Sequence, residues 1–167
     1  MLNFARSGNI SSARVDVLQG YKLNMKNEIH FPKAVYLIVF VSYILILLFL
    51  AVFRLDFYYN ERQLNLTLFV NLIDIYQNEG AWEFLRLFLG NICWFVPFGF
   101  LFPMLLKRKI FLVTITIGFM FSFFIETMQF VFYKGVAELD DLILNTLGAG
   151  IGYILYKIHC LANRQDT

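Results

Sequence analysis

Between Lys33 and Arg54 the chain runs for 20 residues, Ala34–Phe53, without a charged side chain. A run of that length constrains the fold more than any other feature of the sequence. Backbone N–H and C=O groups cannot be left unpaired in hydrocarbon, and an α-helix of about 20 apolar residues pairs them all while crossing it. Three more stretches follow. Leu87–Leu106 lies between Arg86 and the Lys107-Arg108-Lys109 triplet. Ile110–Tyr133 is interrupted only by Glu126 and the uncharged polar Gln129. Leu142–Tyr156 is shorter and rich in glycine, and ends at Lys157. The apolar share of 59% and charged share of 16% depart from the roughly 45–50% and 25% of soluble domains in the same direction. The sequence therefore predicts an all-α, polytopic membrane protein with about four transmembrane helices. Residues 31–160 form a single transmembrane domain, 1–30 a flexible polar segment and 161–167 a short tail. The N-terminal segment has no apolar face, and Met25 offers an alternative start. The first span is too long for a cleaved leader and no small-residue cleavage site follows it, so it reads as a retained anchor.

Positive residues stay on the cytoplasmic side of spans. Arg6, Arg14, Lys22, Lys26 and Lys33 precede the first span, the triplet separates the second from the third, and Lys157 and Arg164 follow the fourth. The opposite side holds Arg54, Arg62, Arg86 and Lys134. Ten of the 14 basic residues thus fall on one side, which predicts both termini inside. The loop Arg54–Arg86 is too apolar to sit free in water, with Leu64, Leu66, Leu68, Phe69, Leu72, Ile73 and Ile75. It predicts an interfacial or partly re-entrant helix, with Tyr58, Tyr59 and Trp82 at headgroup level. The many Phe and Tyr residues are expected to face lipid.

Several function classes are excluded early. A net charge of +2 without a basic cluster does not suit a nucleic-acid surface. Cys93 and Cys160 form no CxxC and have no His at ligand spacing, so neither a disulfide scaffold nor a cofactor site is expected. His30 and His159 offer no catalytic or metal pair.

The polar residues inside the spans are more informative. A carboxylate at mid-span costs roughly 2.5–3.5 kcal/mol on insertion scales and normally faces protein or water. Glu126 lies seven positions before Tyr133, roughly 10 Å below the external boundary at about 1.5 Å per residue. Gly118, Ser122, Glu126 and Gln129 share one helical face, as do Asp141, Asn145, Gly148 and Gly152. Gly148 and Gly152 form a GxxxG that allows close helix approach. Pro97, Gly99 and Pro103 mark a kink in the second span, and Arg86 and Asn91 lie near its external end. Three spans thus place polar groups at one depth. The expected ligand-binding set is Arg86, Asn91, Glu126, Gln129, Asp141 and Asn145, with Glu126 and Asp141 as catalytic candidates. Glu138, Asp140 and Asp141 are weak candidates for a divalent cation, and no metal is expected.

The segment Asn91-Ile92-Cys93-Trp94-Phe95-Val96-Pro97-Phe98-Gly99 resembles the N-x-x-x-F-x-P-F-G element of VanZ-like membrane proteins. Glu126-Thr127-Met128-Gln129 is similar to that family's E-x-x-Q, and Asp141-Leu142-Ile143-Leu144-Asn145-Thr146-Leu147-Gly148 to its D-x-x-x-N-x-x-G. The resemblance covers about Phe69 to Tyr156 in the family's order. Val136 follows Gly135 where many relatives carry an arginine. The resemblance implies a multi-pass protein of a bacterial cytoplasmic membrane, in a family with members linked to resistance against teicoplanin-type lipoglycopeptides.

The residues support a protein that binds or shields a lipid-linked or amphiphilic envelope ligand at its external polar site, and the resemblance implies a lipid-linked cell-wall precursor or a lipoglycopeptide as that ligand. The alternative is an intramembrane enzyme modifying a lipid-linked envelope precursor, with Glu126 as general base. A transporter with Glu126 as relay ranks third, since no internal repeat is visible.

Overall fold

The computed structural model describes residues 32–52, 59–106 and 110–165. The N-terminal segment with its Met25 alternative, Arg54, Tyr58, the Lys107–Lys109 triplet and the last two residues lie outside the described residues. Five helices and two short strands follow in order: α1 (Lys33–Val52), β1 (Gln63–Asn65), α2 (Val70–Asn78), α3 (Ala81–Leu106), α4 (Phe111–Val131), β2 (Val136–Glu138) and α5 (Leu139–Gln165).

Among the described residues, α1, α3 and α4 are long and apolar enough to cross a membrane. The expected fourth span lies within α5, whose 27 residues reach about 40 Å, more than the roughly 30 Å of a hydrocarbon core. Asn145, Gly148, Gly150 and Gly152 dilute its hydropathy, and it continues past Tyr156 to Gln165. The fold is all-α, with about four transmembrane helices.

Side-chain contacts fix the directions. Asn91, in the first half of α3, meets Asp141 in the first turn of α5, and Phe100 packs on His159 further along both, ring centroids 5.9 Å apart. These two helices are parallel. The third span runs against them: Asn145 donates to Ser122 Oγ at 2.9 Å, and Tyr153 packs on Phe111 at 5.2 Å. Helix α1 ends beside the end of α4, where Gln129 Nε2 donates to Ala51 O at 3.1 Å. The starts of α3 and α5 and the ends of α1 and α4 therefore share one end of the bundle.

The contact between α3 and α5 is a glycine seam. A Cβ on Gly148 would overlap the carbonyl oxygen of Ile92, and one on Gly152 would overlap that of Val96 and lie 2.9 Å from Gly99 Cα. One on Gly99 would in turn overlap the carbonyl of Ala149. Small residues let helix backbones touch, and packing must hold helices together where lipid tails are as apolar as the side chains.

The expectation that Phe residues face lipid needs correction. Phe95 and Phe98 are 1% and 3% exposed and form the core with Leu47, Ile125 and Ala149. Phe98 stacks on Phe102 and Phe121, centroids 5.4 and 5.9 Å apart. Others do lie outside, among them Phe49, Phe119 and Phe123.

Helix α3 is unbroken through Pro97 and Pro103, so the expected kink does not end it. Pro97 has no N–H to give the preceding turn. In that turn Tyr43 of α1 donates its hydroxyl to Trp94 O at 2.6 Å, a polar tie between spans that apolar patterning does not disclose.

The loop after α1 is partly ordered as expected and partly not. The expected interfacial helix is the short α2, and the second span begins six residues before Leu87, at Ala81. Trp82 stands 79% exposed in the first turn of α3. Strand β1 was not foreseen. It pairs in parallel with β2, Leu64 opposite Ala137, and ties this loop to the turn after α4. That turn closes with Tyr133 at φ 57° and Lys134 N–H donating to Gln129 O at 2.9 Å, the bond of a Schellman motif with tyrosine where glycine is usual.

Candidate functional site

The two polar stripes meet. Asn91, Glu126, Gln129, Asp141 and Asn145, from three helices, line one cavity of about 520 Å³ at the end of the bundle that carries β1 and β2. Leu47, Leu50 and Ala51 of α1, Leu72 and Ile75 of α2, and Trp94 and Phe95 of α3 form its apolar walls. The cavity is amphipathic because the polar stripes of α4 and α5 face each other, while α1 brings only aliphatic side chains.

Each polar group also has a protein partner. Glu126 is 7% exposed and accepts the Glu138 N–H on Oε2 at 3.0 Å, joining α4 to β2. Asn91 donates to Asp141 Oδ1 across the α3–α5 seam. Asn145 turns its amide to Ser122, and Gln129 supplies a donor to Ala51 O in the last turn of α1, where helix carbonyls lack intrahelical partners. Arg86 is the one member of the expected set that does not line the cavity. Its guanidinium pairs with Glu83 one turn earlier, and its side chain is 62% exposed.

Glu138, Asp140 and Asp141 do not act as a group. Glu138 accepts from Asn71 Nδ2 at 2.7 Å, Asp141 accepts from Asn91, and Asp140 accepts the Phe69 N–H on both oxygens at 2.9 and 3.0 Å. Asp140 is 1% exposed, with both oxygens turned to the Phe69 N–H. Among the described residues no three His, Cys, Asp or Glu side chains are grouped to hold a metal ion. The start of α5 instead uses two carboxylates where a helix N-terminus favours negative charge.

Burial raises the Glu138 carboxyl above its usual 4.5; the Asn71 hydrogen bond opposes this and the Asp140 charge adds to it. A raised carboxyl favours the folded state while it is protonated in both states, and that contribution is lost as pH rises through its folded value. Glu138→Gln keeps the acceptor for Asn71 and removes the charge. It should raise the melting temperature of the detergent-solubilised protein at neutral pH, with the gain shrinking below about pH 4.5. An unchanged gain at acid pH would contradict this.

Sequence patterning did not place Tyr59, Lys134 or Trp94 in the cavity. Tyr59 and Lys134 line it, brought there by the pairing of Tyr59 N–H with Tyr133 O at 2.9 Å and by the β1–β2 strands. Trp94 lies on an apolar face and carried no signal. Arg62, expected only as an external charge, lies over the Phe130 and Tyr133 rings at 5.7 and 5.2 Å, a cation–π contact that holds this loop to α4.

The family profile described as VanZ/LLP1 matches residues 40–160, from within α1 to within α5. The chain is similar to Protein VanZ of Enterococcus faecium, 32% identical over 122 residues that make up 70% of each chain. No solved structure matches. The matched stretch contains every residue that lines the cavity, so the seam and the polar end of the bundle lie inside the shared region. The chain is a multi-pass membrane protein of the VanZ/LLP1 family.

Proposed function

We propose that this protein binds or shields an amphiphilic envelope ligand, a lipid-linked cell-wall precursor or a lipoglycopeptide, at the outer face of a bacterial cytoplasmic membrane. It thereby contributes to teicoplanin-type resistance. One observation carries the reading: polar side chains from three spans meet in a cavity of about 520 Å³ whose remaining wall is apolar. Amides and carboxylates suit the hydroxyls and amides of sugars and peptides, and the aliphatic wall suits a hydrocarbon tail. Ten of 14 basic residues on the opposite side support an external cavity, where lipoglycopeptides act.

Teicoplanin susceptibility of a strain lacking the gene and carrying each variant tests it, with membrane levels matched by immunoblot. Glu126→Gln keeps the shape and one acceptor for the Glu138 N–H and should retain most of the effect. Glu126→Ala leaves that donor unpaired and empties part of the cavity floor, and should lose it. If Glu126→Gln is as damaging as Glu126→Ala, proton transfer by Glu126 is the better account, since general acid–base catalysis contributes about 10²–10⁴-fold.

A further inference from the structure

The cavity has a side entrance. Leu50 and Trp94 line it and are nevertheless 43% and 49% exposed, so among the described residues they are its lips, one on α1 and one on α3. Both lie within spans, where the surroundings are lipid. Leu50 also borders an apolar groove that runs along α1 past Leu45, Ile46 and Phe49. A molecule seated across these lips would keep its hydrocarbon chain against α1 and its head among the polar residues.

The chemistry of that head follows from the charges it would meet. Among the described residues, Glu126, Glu138 and Asp141 line the cavity with one basic residue, Lys134. Glu126 accepts the Glu138 N–H and lines the same cavity as Asp141, so the three carboxylates crowd one space. Crowded carboxylates ionise together only at a cost, and a cation among them offsets it. The cation must also be small and rich in donors, because the floor presents carboxylate and amide oxygens.

We infer that the cavity admits, sideways between α1 and α3, a membrane lipid whose head carries a primary ammonium. This rests on the reading of the cavity as a ligand site and names the class of ligand. The primary ammonium offers three donors, which a trimethylated head lacks and an anionic glycerol head replaces with the wrong charge.

Trp94 reports directly on the lips. In Trp82→Phe protein, whose replaced residue lies outside the cavity, Trp94 is the sole tryptophan. The protein is placed in phosphatidylcholine vesicles containing brominated-chain phosphatidylethanolamine, phosphatidylcholine or phosphatidylglycerol, and quenching is followed against bromolipid fraction. The ethanolamine lipid should associate at least about tenfold more strongly than the other two, the ratio that about 1.4 kcal/mol gives. Joint Glu138→Gln and Asp141→Asn substitution should bring that ratio toward one, with helix content unchanged by circular dichroism. Soluble phosphoethanolamine should not compete, which separates a bilayer lipid from a free head. Equal quenching by all three lipids, or preference for phosphatidylglycerol, would overturn the inference while leaving the susceptibility results standing. Conversely, unchanged susceptibility in Glu126→Ala with the head preference intact would remove the resistance reading and leave this one.

Discussion

Gly148→Leu and Gly152→Leu are each expected to separate α5 from α3 and leave the protein unable to reach a monodisperse folded state. The obstacle to each new side chain is backbone. A Cβ on Gly148 meets the Ile92 carbonyl, and one on Gly152 meets the Val96 carbonyl and Gly99 Cα; none of these can rotate aside. Overpacking in a close-packed interior usually costs about 1–3 kcal/mol where neighbours can shift, and here the helices themselves must move apart. Gly148→Ala, which already carries that Cβ, should exceed this range, and the leucine variants should cost more still. Two neighbours serve as controls. Gly150→Ala would place its Cβ 3.4 Å from Ile115 Cδ1, and Gly90→Ala has nothing within 4 Å. Both should be neutral or gain up to about 1 kcal/mol from helix propensity. Melting of detergent-solubilised protein followed by size-exclusion fluorescence would check the series. A Gly148→Leu protein that melts like the parent would refute the seam.

Asp140→Ala should be the most damaging single change to the extramembranous part. Asp140 is 1% exposed and its carboxylate is the partner of the Phe69 N–H. Phe69 precedes α2 with φ 58°, a left-handed conformation that costs a non-glycine residue about 1–3 kcal/mol unless its surroundings hold it. Removing the carboxylate orphans a part-buried donor, which costs about 1–3 kcal/mol, and removes a negative charge from the first turn of α5. The expected result is loss of hydrogen-exchange protection across α2 with α3 and α5 still protected. Asp140→Asn retains one acceptor and should be milder. Uniform loss of protection over the whole bundle would show that Asp140 does something other than anchor α2.

The parts of this structure visible in the sequence are those governed by periodicity and transfer cost. Spacing by three and four put Gly118, Ser122, Glu126 and Gln129 on one face and Asp141, Asn145, Gly148 and Gly152 on another, and the cost of a carboxylate in lipid singled out Glu126. The rest depended on contacts distant in sequence. Nothing local to Gln63–Asn65 announces a parallel partner at Val136–Glu138. Likewise, the Tyr43 hydroxyl reaches Trp94 O across 51 positions, and Asp140 reaches Phe69 across 71. Asp140 and Asp141 look alike in sequence; the rotation of about 100° between adjacent helix positions sends the first to a loop and the second into the cavity. Arg86 lies more than a turn before Asn91 and on another face of α3, and it pairs with Glu83 instead.

Whether the cavity faces outward is tested most directly by the accessibility of a residue that lines it. Gly135 lines the cavity, and a Cβ there meets nothing closer than Gln129 Cδ at 3.4 Å, so a cysteine fits. In a background lacking Cys93 and Cys160, Gly135→Cys and Arg108→Cys would be treated in intact cells with a membrane-impermeant maleimide. Labelling of Gly135→Cys, with Arg108→Cys labelled only after the cells are opened, is the predicted result. Labelling of Arg108→Cys in intact cells while Gly135→Cys stays protected would place the cavity in the cytoplasm and contradict the account.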